Sequence, residues 1–202
     1  MLRGHEERVW FIQGVPDEKI LIFIHFSHFS HFKYFHTGHY EKIEPSRNCI
    51  SSAMNVGHPS NLARLIDLYG GIMDETGVIH RQADLYHMRN EIFPVSISDF
   101  LTRDTISEAY ANHHLLLEPH GAVGWAGMLA FLKAHPEADV PSQLFVSLET
   151  AHPAKFPLEI QRTLGFDPEL PPALEGLESK EERCGFMENE YGAFREYLMK
   201  KF

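Results

Sequence analysis

LFVSLETAHPAKF, residues 144–156, passes from a β-like apolar run through a polar turn into a helix start. Leu144, Phe145, Val146 and Leu148 suit a buried strand. Glu149, Thr150 and His152 arrive where that strand should end, and Pro153 suits the first turn of a helix. In open α/β sheets, ligands bind beyond the carboxyl ends of strands, where helix N-termini present free N–H groups. On spacing alone two readings stand: Thr150 turns a hydroxyl into such a crevice, or it is a helix cap.

Upstream, LLLEPHGAVGWAGMLAFLKAHP (115–136) repeats the design, an apolar triplet ending at Glu118 and a helix beginning near Gly121 or Ala122. Its Gly121, Ala122, Gly124, Ala126 and Gly127 keep the first turns narrow. That suits a flat ligand approaching closely, or plain helix-on-sheet packing. Between 84 and 113, DLYHMRNEI reads as a short helix and PVSISD as a brief strand. Asp99 then caps a helix carrying Ile106, Ala109 and Tyr110 on one side.

Further upstream, EPSRNCISSAMNVGHPSNLARLIDLYGG (44–71) reads as an extended piece, a polar turn and a helix. Pro59-Ser60-Asn61 starts that helix, Leu62, Leu65, Ile66 and Tyr69 share one face, and Gly70-Gly71 stops it. Ser60, Asn61 and Arg64 then lie near its first turn. They either hold an anion or act as a cap with a solvated guanidinium.

Residues 1–40 differ in texture from the rest. VWFIQGV and KILIFIHF resemble short strands, and HFSHFSHFKYFHTGH (25–39) steps His and Phe at nearly every third position. Were His25, His28 and His31 to share a helical face, they could gather zinc or nickel together with His36 and His39. No carboxylate or cysteine completes the ligand set, and a plain aromatic connection is the competing reading. After Phe156, PLEIQRTL is a helix ended by Gly165. The tail from Asn189 reads as an amphipathic helix with Tyr191, Phe194, Tyr197 and Leu198 inward and Lys200-Lys201 at its C-terminus.

The chain has 202 residues, 44% hydrophobic and 23% charged, enough for one substantial core. A net charge of −10 and the lack of a basic patch argue against nucleic acid as a main partner. Cys49 and Cys184 match neither a zinc knuckle nor a CxxC pair. The start carries no secretory signal, and KILIFIHF is too short to span a bilayer. A soluble, cytoplasmic protein with no membrane partner is expected.

Four segments in order, AMNVGHPSNLARL (53–65), FPVSISD (93–99), LLLEPHGAVGWAG (115–127) and SLETAHPAKFP (147–157), resemble threonine synthase. The likeness runs over roughly residues 32–202, within a domain division of a divergent segment 1–40 and an α/β region 41–202. It implies an α/β fold, a mostly parallel sheet with helices on both faces, as part of the large domain of a fold type II enzyme. The cofactor implied is pyridoxal 5'-phosphate, and the reaction is O-phosphohomoserine and water giving threonine and phosphate. By the resemblance Thr150 meets the pyridine nitrogen of that cofactor. Glu118, His120 and Gly121 pass close to it, and Ser60, Asn61 and Arg64 stand on the substrate side.

The family's Schiff-base lysine, in an FKD-like context, and its GNFG-type phosphate loop have no counterpart among these 202 residues. Lys155 belongs to the ordinary TAHPAKF motif and is expected at a surface or helix start. The resemblance thus implies a C-terminal portion that is inactive alone and joins a missing N-terminal half or associates with itself. A non-catalytic remnant binding a phosphometabolite or a partner is a second expectation, and a metal binder using the N-terminal histidines a third.

Overall fold

The computed structural model describes residues 9–11, 24–26, 29–46, 48–52, 55–141 and 144–201, with backbone alone through residue 32. It divides into two compact units, 1–168 and 169–202.

The first unit starts with β1 (Val9–Phe11), β2 (Ile24–Phe26) and α1 (Phe29–Thr37). Three residues of each apolar run, Val9–Phe11 and Ile24–Phe26, therefore form strand, and the His/Phe tract is helical from Phe29. Among the described residues no group of three or more His, Cys, Asp or Glu is placed to hold a metal. His28 and the side chains of His25 and His31 lie outside them. Next come α2 (Leu62–Leu68), the hairpin β3 (Ile72–Met73) and β4 (Ile79–Arg81), α3 (Leu85–Glu91), and β5 (Val95–Ser96). The helices α4 (Asp99–His113), α5 (Pro119–Ala134) and α6 (Pro157–Leu164) complete the unit.

Helices and strands together fit the α/β class. The sheet is small, in the order β2-β1-β5, and its pairings, like that of β3 with β4, are antiparallel. The parallel pairings expected of the whole domain do not occur among the described residues. Leu144–Leu148 is extended but forms a single bridge, at Val146. It is not the buried strand its composition suggests. Side chains alternate across an extended chain, so Phe145 packs inward while Leu144, Val146 and Leu148 remain 73%, 39% and 54% exposed.

Three apolar clusters fill the unit. Tyr34, Phe35, Leu62, Ile66, Tyr69, Met88 and Ile92 join α1, α2 and α3. The Arg89 guanidinium seals this cluster, donating to the Phe35 and His36 carbonyls at 2.6 and 3.0 Å. A cation at the C-terminus of α1 complements the carbonyls and dipole at that end. The other two clusters share α5 and its Trp125, with Val123 and Ala126 packed with Ile97, and Ala122 with Ile106, Ala109, Leu117 and Ile160. The small residues of the GAVGWAG run thus serve close packing in both clusters.

Helix boundaries follow local chemistry. α2 matches its predicted span, and Gly70 takes the positive φ (75°) that ends it. Asp84 caps α3 by accepting the His87 N–H. α4 is capped by Ser98, with Asp99 already in its first turn, because the Ser98 hydroxyl accepts the Leu101 N–H at 3.2 Å. Gly165, at φ 80°, ends α6 as predicted. α4 and α6 are tied by Arg103, whose Nε and Nη2 both lie 3.0 Å from Glu159 Oε2. Arg103→Ala should lower the unfolding free energy by about 1 kcal/mol, between the values for exposed and buried pairs. A double-mutant cycle with Glu159→Ala in urea checks it, and additive losses would count against the pair.

The second unit contains α7 (Tyr191–Lys201), with Lys200 and Lys201 in its last turn. Its aromatic stripe is not inward: Tyr191, Phe194, Tyr197 and Leu198 are all exposed. No helix among the described residues is long and apolar enough to cross a membrane.

Candidate functional site

The N-terminus of α5 carries Glu118, His120 and Gly121 and meets Glu149, the residue before Thr150. His114 takes the left-handed conformation (φ 54°) at the end of α4, and Leu115–Glu118 then runs extended to Pro119. Proline at the first helical position lacks an N–H that would have had no partner there. Glu118 is fully buried and caps the helix, its Oε1 accepting the Gly121 N–H at 2.8 Å and its Oε2 the His120 N–H at 2.6 Å. The same Oε2 lies 2.6 Å from His120 Nδ1. A buried carboxylate is tolerable here because three donors surround it. The helix therefore begins at Pro119, ahead of the predicted Gly121, because a carboxylate can cap it there.

A residue passed over by the sequence reading completes the cluster. Glu149 Oε1 accepts the backbone N–H of Glu118 at 2.9 Å. The residue keeps an exposed edge, yet partial burial, and then the neighbouring Glu118 carboxylate, raise its pKa above the usual carboxylate range. The Glu118 N–H and His152 act in the opposite direction. Its place immediately before Thr150 was the available clue. A cavity of about 340 Å³ opens beside Gly121, lined by Leu117, Trp125, Phe145, Ser147 and Glu149 among others.

Thr150 follows Glu149 and is exposed. His152 Nδ1 accepts the Ala154 N–H and caps the short 3-10 turn Pro153–Lys155, so the predicted helix start is a turn preceding α6. Lys155 is exposed at the end of that turn. The His120 ring lies 5.2 Å from that of Phe156, which ties the end of the TAHPAKF run to α5.

Ser60, Asn61 and Arg64 lie elsewhere, at the start of α2, and all three are exposed. Asn61 stands at the N-cap with helical φ and ψ and no side-chain capping bond, so its side chain does not cap α2. Ser60 lines a cavity of about 240 Å³ with His58, Pro59, Ala63, Met73, Asp74 and Glu75. The Asp74 carboxylate is turned into its own hairpin, accepting from Thr76, Val78 and His80, which hold its pKa well below the usual range.

These residues fit pyridoxal phosphate only in part. An exposed hydroxyl at Thr150 suits a ring nitrogen. The first free N–H groups of α5, which could cradle a phosphate, are already bonded to Glu118. No lysine lines the cavity beside Gly121. The chain's described residues do not by themselves complete a site for the cofactor.

The family model described as threonine synthase, C-terminal, matches residues 121–198. Threonine synthase from Pseudomonas aeruginosa is 30% identical over 162 residues, which are 74% of this chain and 33% of that protein. The crystal structure of threonine synthase from Escherichia coli superposes with a TM-score of 0.59 at 22% identity, covering 85% of this chain and 35% of that one. A pyridoxal-phosphate-bound threonine synthase from Brucella melitensis gives 0.52 at 23%, covering 83% and 37%. The chain thus spans about a third of the length of the relatives it matches. In sequence and in fold, this chain corresponds to the C-terminal portion of threonine synthases.

Proposed function

We propose that this chain forms one wall of a threonine-synthase-like active site. The reaction is pyridoxal-phosphate-dependent conversion of O-phosphohomoserine and water to threonine and phosphate, and the 202-residue chain does not perform it alone. The observation that carries the reading is the joining of two family motifs at one place, LLLEPHGAVGWAG and SLETAHPAKFP, through the Glu149 to Glu118 hydrogen bond.

When bound, the cofactor supplies the electron sink that proton removal from the substrate requires. This chain contributes position and electrostatics. Thr150 offers a neutral hydroxyl to the ring nitrogen, while Glu118 and His120 form a dense hydrogen-bonded backing that excludes water behind it. Ser60, Asn61 and Arg64 serve the phosphate of the substrate, with all three exposed at the start of α2 and Asn61 making no side-chain capping bond. A reactive lysine and a phosphate loop come from outside these residues, and without them both the covalent anchor and the general base are missing.

Incubation with pyridoxal phosphate followed by borohydride should leave no stoichiometric lysine adduct on the purified chain, and O-phosphohomoserine should release no phosphate. A stoichiometric adduct with threonine formed would overturn the inactivity. Mixing with the lysine-bearing upstream portion of a threonine synthase should restore phosphate release, lowered at least about tenfold by Thr150→Val. A folded mixture that binds no cofactor would overturn the proposed function itself.

A further inference from the structure

We infer that Glu149 is a positioning residue whose side chain clasps the Thr150 turn onto the first turn of α5, with Gly121 as the seat the clasp requires. The inference deepens the proposed function, and it rests on that reading only for the use to which the clasp is put.

Three observations meet here. Glu149 Oε1 takes the Glu118 N–H, while the Glu118 carboxylate takes those of His120 and Gly121. Two carboxylates, one from each motif, thereby satisfy the start of α5 in succession. Next, a Cβ on Gly121 would stand 3.0 Å from Glu149 Cγ, 3.2 Å from Oε1 and 3.3 Å from Cδ. The Glu149 side chain lies across the face where residue 121 would carry its own, so glycine at 121 is a condition of the clasp and not of helix geometry. Last, Thr150 itself is exposed, and among the described residues the strand pairing nearest to it is the bridge at Val146.

The groups facing Glu149 are the Glu118 carboxylate and its N–H, and His152. Burial and Glu118 raise the Glu149 pKa, so its ionised form is disfavoured in the folded chain. This group's contribution to stability is complete at low pH and falls as pH rises through the raised value. Glutamine keeps an acceptor for the Glu118 N–H and removes that fall.

Backbone NMR on the full chain tests the clasp without cofactor or substrate. In the wild type the Glu118 amide should report a carboxyl titrating above the usual range. In Glu149→Gln that titration disappears while Glu118 exchange stays within about twofold. Glu149→Ala should speed Glu118 exchange on the order of tenfold and drop the Thr150 order parameter from about 0.85 to below about 0.6. Gly121→Ala should do the same, and the double variant should add little to either single one. A rigid Thr150 in Glu149→Ala, or independent additive effects of the two substitutions, overturns the inference. Failure to bind cofactor would sink the proposed function and leave the clasp untouched.

Discussion

Glu118→Ala should lower the unfolding free energy by about 3 kcal/mol, read as a fall in urea midpoint at unchanged slope. Loss of a helix cap accounts for about 1 kcal/mol. The rest comes from donors that cannot find water: the N–H groups of His120 and Gly121 and the His120 ring all point at a carboxylate with no exposure. Each buried donor left without an acceptor costs about 1–3 kcal/mol, reduced where the helix end relaxes. Glu118→Gln should lose less, about 1–2 kcal/mol, because one amide oxygen still accepts while the amide NH₂ faces a donor. Either variant also removes a negative charge beside Glu149 and should bring that carboxyl's pKa down toward its ordinary value. A loss below about 1 kcal/mol in Glu118→Ala would mean that the cluster is wet and that the cap carries little.

The same residue shows what could be read from the chain and what could not. LLLEPHG announced an apolar run meeting a helix, and Glu118, His120 and Gly121 do come together. Their partner Glu149 comes from 31 positions downstream, and that pairing leaves no periodic trace. Helices with strong local signals were legible: Gly70 and Gly165 stop α2 and α6, and Asp84 caps α3. Where two capping residues adjoin, only geometry chose Ser98 over Asp99.

The run at 144–148 misled for a different reason. Apolar composition says that a segment is to be covered, not that its cover lies in the same stretch of polypeptide. Leu144, Val146 and Leu148 face outward in a chain spanning about a third of its relatives' length. The stripe of α7 is the same case: helical spacing was right, and burial did not follow. Periodicity reports which side chains share a face, whereas burial depends on what else packs against that face.

Gly57→Ala should lower stability by about 3–5 kcal/mol. A Cβ there would lie 1.8 Å from the Ile43 carbonyl oxygen and 2.9 Å from its carbon, both backbone atoms that cannot rotate away. Ile43 donates its N–H to the Gly57 carbonyl at 3.0 Å, and the Gly57 N–H reaches Ser46 Oγ at 3.2 Å. Relief of the clash therefore breaks the hydrogen bonds that close this loop. Gly70→Ala is the matched control: its φ is 75° but nothing lies within 4 Å, so it should cost only the strain of a left-handed residue, about 1–2 kcal/mol. Thermal unfolding of the two variants side by side separates clash from strain, and equal losses would refute the close approach. Gly57 leads through His58 and Pro59 to Ser60 and Asn61, so hydrogen exchange at Ile43 should rise together with mobility at the start of α2. The glycine of the AMNVGHPSN motif is then explained by the backbone it touches, and its connection to Ser60 and Asn61 runs through that loop.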